Sequence, residues 1–141
     1  MAFNVEIENA DKLLKKLGSL QNADFSDAIT KGCLLVEKDA KLNCPVGTGT
    51  LRNSITHTVS GNSGTVGTNV EYAPYVEYGT GLFAANGDGR KDVPWMYRDV
   101  KGVVHITSGQ HPQPFLKPAF DNNRQRVVEL LGKRVEEILK Q

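Results

Sequence analysis

The sequence of 141 residues has few cysteines, almost no excess charge and no long apolar run, and each shortage excludes a class of protein. Its two cysteines, Cys33 and Cys44, do not make the disulfide framework of a small secreted domain, so we interpret them as reduced thiols. Lysine and arginine number 17 against 16 acidic residues, and a net charge of +1 gives no general attraction to nucleic acid or an anionic membrane. The uncharged apolar run around residues 33–36 is too short to span a bilayer. The start, MAFNVEIENA, lacks the apolar stretch of a signal peptide, so we expect no signal peptide.

Motifs that would indicate catalysis, a metal or a cofactor are also missing. The three histidines, His57, His105 and His111, have no spacing typical of metal ligands, either to one another or to a cysteine. The segment GTGT at 47–50 is rich in glycine, but it follows a predicted helix and lacks the lysine of a phosphate-binding loop. A nucleophile–base pair of Cys44 with a histidine stays open as an alternative, although no motif marks it. We therefore predict no catalytic residue, no metal site and no cofactor.

Apolar spacing and turn residues predict a single α+β domain over residues 1–141. The predicted elements, in chain order, are a strand Phe3–Ile7, a helix from Asn9 to Gly18, a helix from about Asn22 or Asp24 to Asn43, a hairpin of Leu51–Ser60 and Thr65–Val70, a short helix Tyr72–Tyr78, a hairpin of Trp95–Arg98 and Val103–Ile106, and a helix Leu116–Gln141. Because neighbouring strands are joined by tight turns, we expect an antiparallel sheet packed against the long helix of the N-terminal half and the long C-terminal helix. The polar, glycine-rich segment 82–92 predicts a mobile loop.

The exposed parts of this fold are predicted to be polar apart from one group of tyrosines. Threonine, serine and asparagine are frequent in the predicted hairpins, so we expect no large continuous apolar surface. Tyr72, Tyr75 and Tyr78 recur every three residues, which fits either a partly buried helical face or a contact surface. Stacking of nucleic-acid bases on them is a weaker alternative, because interleaved lysines and arginines are missing.

Three segments in sequence, PVGTGTLRNSI at 45–55, YAPYVEYGT at 72–80 and PQPFLKPA at 112–119, resemble a known family. In their order and spacing they are similar to the small tail-completion or neck proteins of long-tailed bacteriophages and prophages, also described as head–tail joining or minor tail proteins. The resemblance extends over nearly the whole chain. It departs from the family pattern mildly, at Gly47 and in the long loop 82–92.

The resemblance implies a non-enzymatic protein of phage assembly. Such a protein is made in the host cytoplasm and resides in the virion, at the neck. It forms a homo-oligomeric ring between the head connector and the tail tube or tail terminator, and we expect this ring to be a hexamer. Double-stranded DNA passes through the ring without sequence recognition, and no membrane is involved. The alternative is a small nucleic-acid-binding α+β module, which should present a one-sided basic face.

The residues expected to form subunit or partner contacts, or to shape these segments, come from all three of them. They are Pro45, Thr48, Gly49, Leu51, Arg52, Ser54, Tyr72, Tyr75, Glu77, Tyr78, Gly79, Thr80, Pro114, Phe115 and Pro118. Thr48 and Ser54 can bond turn backbone, and the planar guanidinium of Arg52 suits a carboxylate, for which we predict Glu77. Gly79 allows a positive φ after the short helix. Phe115 is the expected apolar anchor of the last helix.

Overall fold

The computed structural model describes residues 10–45, 47, 49–85, 87 and 89–140. Their elements, in chain order, are α1 (Ala10–Gln21), α2 (Ser26–Asn43), α3 (Thr50–Ser54), β1 (Thr56–Ser60), β2 (Ser63–Gly67), α4 (Ala73–Tyr78), a 3-10 turn (Gly81–Phe83), β3 (Trp95–Arg98), β4 (Val104–Thr107) and α5 (Leu116–Leu139). The α+β class and the two long helices are confirmed. The strand predicted at 3–7 lies outside the described residues. Within the described ranges, no helix has the length and apolarity needed to cross a membrane.

The core forms where α2 and α5 pack together and close over the start of the first hairpin. α2 turns one face inward, because its small and apolar residues recur every three or four positions. The buried cluster consists of Val36, Ala40, Cys44, Leu51, Ile55, Ala73, Phe115 and Ala119. Phe115 is fully buried, which confirms it as the apolar anchor of α5. The helix α2 ends at Asn43, two residues before Pro45, because proline disfavours helical backbone in the residue that precedes it.

Several predicted boundaries are wrong. The second helix begins at Ser26, not near Asn22 or Asp24, and the strand predicted at Thr65–Val70 is Ser63–Gly67. The first helix does not stop at Gly18 but continues to Gln21. The strand predicted from Leu51 begins instead with the short helix α3, and only Thr56–Ser60 is extended. Leu51 and Ile55 are both buried while Asn53 between them is exposed, which fits a helical turn, because a strand would put all three on one face. The turn is started by Gly49, which has φ 82° and whose carbonyl accepts a hydrogen bond from Asn53 N at 2.9 Å.

The strands form two antiparallel sheets of two strands each. In the first, Thr56 pairs with Gly67 and Ser60 with Ser63, and the ribbon lies against α2. In the second, the pairs run from Trp95–Thr107 to Arg98–Val104. The second ribbon stands apart from the core, and most of its side chains are exposed.

Candidate interaction site

The second and third motif segments meet at the N-terminus of α5. Glu77 is 8% exposed, and its carboxylate faces the first backbone amides of the helix. Oε2 accepts hydrogen bonds from Phe115 N at 2.8 Å and Leu116 N at 3.0 Å, and Oε1 accepts one from Lys117 N at 2.9 Å. These amides have no partner inside the helix, and a negative charge at this end is favoured by the helix dipole. Glu77 therefore fixes where the last helix begins.

The predicted ion pair of Arg52 with Glu77 is wrong. Both carboxylate oxygens of Glu77 are occupied by backbone amides, and no ion pair joins the two residues in the described part of the chain. Arg52 Nε is buried without a hydrogen-bond partner among the described residues. The guanidinium lies near Cys44 instead. Burial raises the pKa of the Cys44 thiol, and the positive charge of Arg52 opposes that rise.

In the first segment, side chains bond the backbone around α3 and the start of the hairpin. Ser54 Oγ donates to Leu51 O at 2.6 Å and lies 2.5 Å from Thr68 Oγ1, which in turn accepts from Val70 N at 3.1 Å. The role predicted for Ser54, bonding turn backbone, is confirmed. Thr48, for which the same role was predicted, lies outside the described residues.

After α4 the chain crosses the segment 108–110 at a distance that only glycine allows. Thr80 N donates to Gln110 O at 2.9 Å, and Leu82 N donates to Ser108 O at 3.0 Å. Gly79 has φ 80° and ψ 177°, a backbone conformation open essentially only to glycine, and a Cβ there would stand 2.7 Å from Gln110 O. The positive φ predicted for Gly79 is confirmed. This crossing sets the path of the chain into the 3-10 turn and holds the base of the second ribbon.

The three tyrosines lie on the outer side of α4. Tyr72, Tyr75 and Tyr78 are 44%, 59% and 49% exposed, so their rings contribute little to the core. The inner side of α4 is formed by Ala73, Val76 and Glu77 instead. Of the two interpretations left open by the sequence, the exposures favour a contact surface.

Beside these tyrosines lies an open groove of about 410 Å³. Its lining includes Tyr75, Tyr78 and Trp95, and Arg90 stands over the Trp95 ring at 5.1 Å from its centroid. Aromatic side chains around a concavity are typical of sites where a partner side chain is received. Of the remaining motif residues, Pro114 is exposed, whereas Pro45 and Pro118 are partly buried.

The second ribbon carries an apolar surface that the sequence did not lead us to expect. Met96 and Ile106 are each 69% exposed and Val104 is 49% exposed, and the strand register puts all three on one face. This hairpin is therefore less polar on its exposed side than its composition led us to expect. The signal was present in the alternation of WMYR and VHIT, but only the register shows that the apolar members of both strands share a face.

Two titratable side chains next to this surface, Asp99 and His105, are hydrogen-bonded to each other at the turn between β3 and β4. Asp99 Oδ1 accepts from Lys101 N and Val103 N, each at 2.9 Å, and Oδ2 lies 2.9 Å from His105 Nε2. The bond to His105 and those to the backbone amides lower the pKa of Asp99. In the described ranges, no group of three or more histidine, cysteine or acidic side chains is arranged to hold a metal ion.

Comparison with known protein families gives a match to a family of phage proteins. The model of a family described as "Bacteriophage HK97-gp10, putative tail-component" matches residues 8–79, just over half of the chain. The matched region includes the segment 45–55 and the tyrosine segment up to Gly79. No curated protein and no solved structure matches the chain.

Proposed function

Because the chain belongs to the HK97 gp10-like family of bacteriophage tail components, we propose that it is a tail-completion or neck protein, which joins the head connector to the tail tube. The observation that carries the proposal is the family match over residues 8–79, which covers the first motif segment and the second up to Gly79. The role is structural and needs no catalytic group or cofactor, and the protein resides in the virion.

In this proposal the protein works as a ring, hexameric to match a connector and tail of compatible symmetry. A ring contact is heterologous, since one patch on each copy meets a different patch on the next. Double-stranded DNA passes through the ring. With a net charge of +1 the chain has little overall attraction for the phosphate backbone, which suits passage without sequence recognition.

We assign the surface formed by Tyr72, Tyr75 and Tyr78 to contact with a neighbouring virion protein. Tyrosine offers a large rigid area with a polar tip at low entropic cost, and it is enriched in interfaces. The groove beside Tyr75 and Tyr78 supplies a concavity of about 410 Å³ for a partner side chain. The buried members of the motif segments, Leu51, Glu77 and Phe115, then act indirectly by fixing the shape of this surface.

The test is a stop codon in the gene for this chain, in the phage or prophage that encodes it. Without the protein, we expect DNA-filled heads and separate tails that remain unjoined in electron micrographs. Expression of the wild-type chain from a plasmid should restore joined particles, and an antibody to it should label the neck. Joined, infective particles made without the protein would contradict the proposed function.

A further inference from the structure

The ribbon of β3 and β4, with its turn, forms an arm over residues 95–107 whose two faces differ. On one face the rings of Tyr97 and His105 stack with centroids 5.1 Å apart, and Trp95 is covered by Arg90. On the other face stand Met96 and Ile106, each 69% exposed. The first face is thus partly covered by stacked rings, although Tyr97 remains 48% exposed, and the second, which we call the bare face, presents aliphatic side chains to solvent.

A bare apolar face on an isolated two-stranded ribbon indicates a missing partner, since such a ribbon is only marginally stable in water. Burial of one such aliphatic side chain removes roughly 60–120 Å² from water. The three apolar side chains of the bare face, with Val100 and Val103 at the turn, are each about half exposed or more and therefore offer roughly 200–400 Å². That is roughly a quarter to a half of the roughly 800 Å² that each partner contributes to a stable interface.

A matching concavity exists elsewhere on the same chain. A groove of about 450 Å³ lies between α2, β2 and α5. Its lining is mainly apolar and includes Ile29, Val66, Phe120, Val127, Val128 and Leu131. Phe120 and Val128 are 47% and 55% exposed, so the groove is accessible to side chains of a partner.

We propose that the arm of one copy docks in this groove on the next copy, with Met96, Val104 and Ile106 on the apolar lining. The inference rests on the proposed function, since it names the contact that joins neighbouring copies of the ring. A projection on one part of the chain and a receptive groove on another make a heterologous contact, which continues from copy to copy until the ring closes.

Charge supports a second copy as the occupant. Arg98 lies on the bare face of the arm opposite Val104, and among the described residues its guanidinium donates only to Gly102 O, at 3.2 Å. Asp121 and Arg124 both line the groove, and Asp121 makes no ion pair within the described part of the chain. Docking brings this cation and this carboxylate together, and such a rim pair fixes orientation.

The first experiment uses two complementary variants of the full chain, Ile106→Asp in the arm and Val128→Asp in the groove. Wild type should form oligomers with rising concentration in sedimentation velocity, and each variant alone should be monomeric. Mixed together they should give a 1:1 heterodimer and nothing larger, because one intact arm and one intact groove remain. Leu42→Asp is the matched control: Leu42 is 67% exposed and lies outside both surfaces. Circular dichroism checks that all variants are folded.

The second experiment exchanges the charges. Arg98→Glu and Asp121→Arg should each weaken self-association roughly threefold to tenfold, and the double variant should recover most of the loss. Arg126→Glu, on an exposed position of α5 outside the groove, should leave association unchanged.

A wild type that stays monomeric, complementary variants that associate like wild type, or a mixture without heterodimer would each overturn the arm-and-groove contact. Failure of this contact can be distinguished from failure of the proposed function. If loss of the protein leaves phage particles unjoined but Ile106→Asp supports normal joining, the function stands and this contact is wrong. If particles form without the protein, the function itself is wrong.

Discussion

Glu77 and Phe115 are joined by a hydrogen bond of 2.8 Å from the backbone amide of Phe115 to the carboxylate of Glu77, across 38 residues of sequence. The bond links the tyrosine segment to the segment that opens the last helix. Phe115 is itself fully buried beside α2, so the two segments share one piece of core. The region matched by the family model ends at Gly79 and contains Glu77 but not its partners. The glutamate of the second segment therefore needs the third segment for its role.

Replacement of Glu77 by glutamine tests this role. Glu77→Gln keeps the shape but removes the charge and turns an amide group toward backbone donors. Because hydrogen bonds to a buried charged group contribute more than neutral ones, we expect a loss of about 1.5–3 kcal/mol in the free energy of unfolding. Urea denaturation followed by circular dichroism measures it. Glu71→Gln, at an exposed position two residues before α4, should change stability by less than about 0.5 kcal/mol. Equal midpoints for the two variants would contradict the capping role.

The sequence predicted those features that depend on local backbone chemistry. The end of α2 near Pro45 and the positive φ of Gly79 follow from restrictions on proline and glycine, which act within a few residues. The resemblance to phage tail proteins was also confirmed, at the level of a phage tail component. It rested on three segments in order, and such a pattern is more specific than any single motif.

Features that depend on distant partners were missed. Glu77 was paired with Arg52 because their charges are opposite, and nothing in the sequence marks the amides of residues 115–117 as competitors. The helix α3 was missed because its five residues have weak preferences, and burial of Leu51 and Ile55 decides its form. The predicted mobility of the segment 82–92 stays a prediction, to be tested by amide exchange.

Gly79 is predicted to be far less tolerant of substitution than a glycine inside a helix. Gly79→Ala places a methyl group 2.7 Å from Gln110 O in a backbone region that only glycine occupies readily. We expect a loss of about 1–3 kcal/mol from backbone strain alone, and more if the crossing opens. The matched control is Gly132→Ala in α5, where a Cβ meets no atom within 4 Å. That variant should gain about 0.5–1 kcal/mol, since alanine favours helix. Thermal unfolding of both variants measures these changes. Similar shifts of Tm for the two variants would contradict the special intolerance of Gly79.

The turn of the arm is predicted to loosen in acid. The pKa of Asp99 is lowered in the folded state, first by its bond to His105 and then by the backbone amide of Val103. A lowered pKa means that the bonds stabilise the turn above the ordinary aspartate pKa and are lost as the pH falls through the folded value. Amide chemical shifts of Lys101 and Val103, followed by NMR from about pH 6 to about pH 2, should therefore change below the ordinary value.

Asp99→Asn provides the control for this titration, because asparagine does not ionise in that range. Asp24 has a lowered pKa as well, through its bonds to Ser26, so the readout must come from residues of the arm and not from global stability. Unchanged shifts of Lys101 and Val103 across the whole range in wild type would show that Asp99 does not hold the turn.

The exposed tyrosines are predicted to act in binding and not in folding. Tyr75→Ala and Tyr78→Ala remove rings that are 59% and 49% exposed, so the free energy of unfolding should change by less than about 0.5 kcal/mol. Binding to the assembled head connector should weaken at least about fivefold for each variant, because truncating a central aromatic contact typically costs more than 1 kcal/mol. Mass photometry of the protein alone and with the cognate connector measures both self-association and binding. Leu42→Ala, at a residue that is 67% exposed and does not line the tyrosine groove, is the control.

The two measurements, self-association and connector binding, distinguish the tyrosine contact from the contact between neighbouring copies. If the tyrosine surface meets a neighbouring virion protein, both tyrosine variants keep the self-association of wild type and lose only connector binding. Variants that bind connectors as well as wild type would refute the tyrosine contact. A wild-type chain that attaches to connectors only as a single copy would refute the ring, since a joining piece between symmetric partners must match their number of subunits.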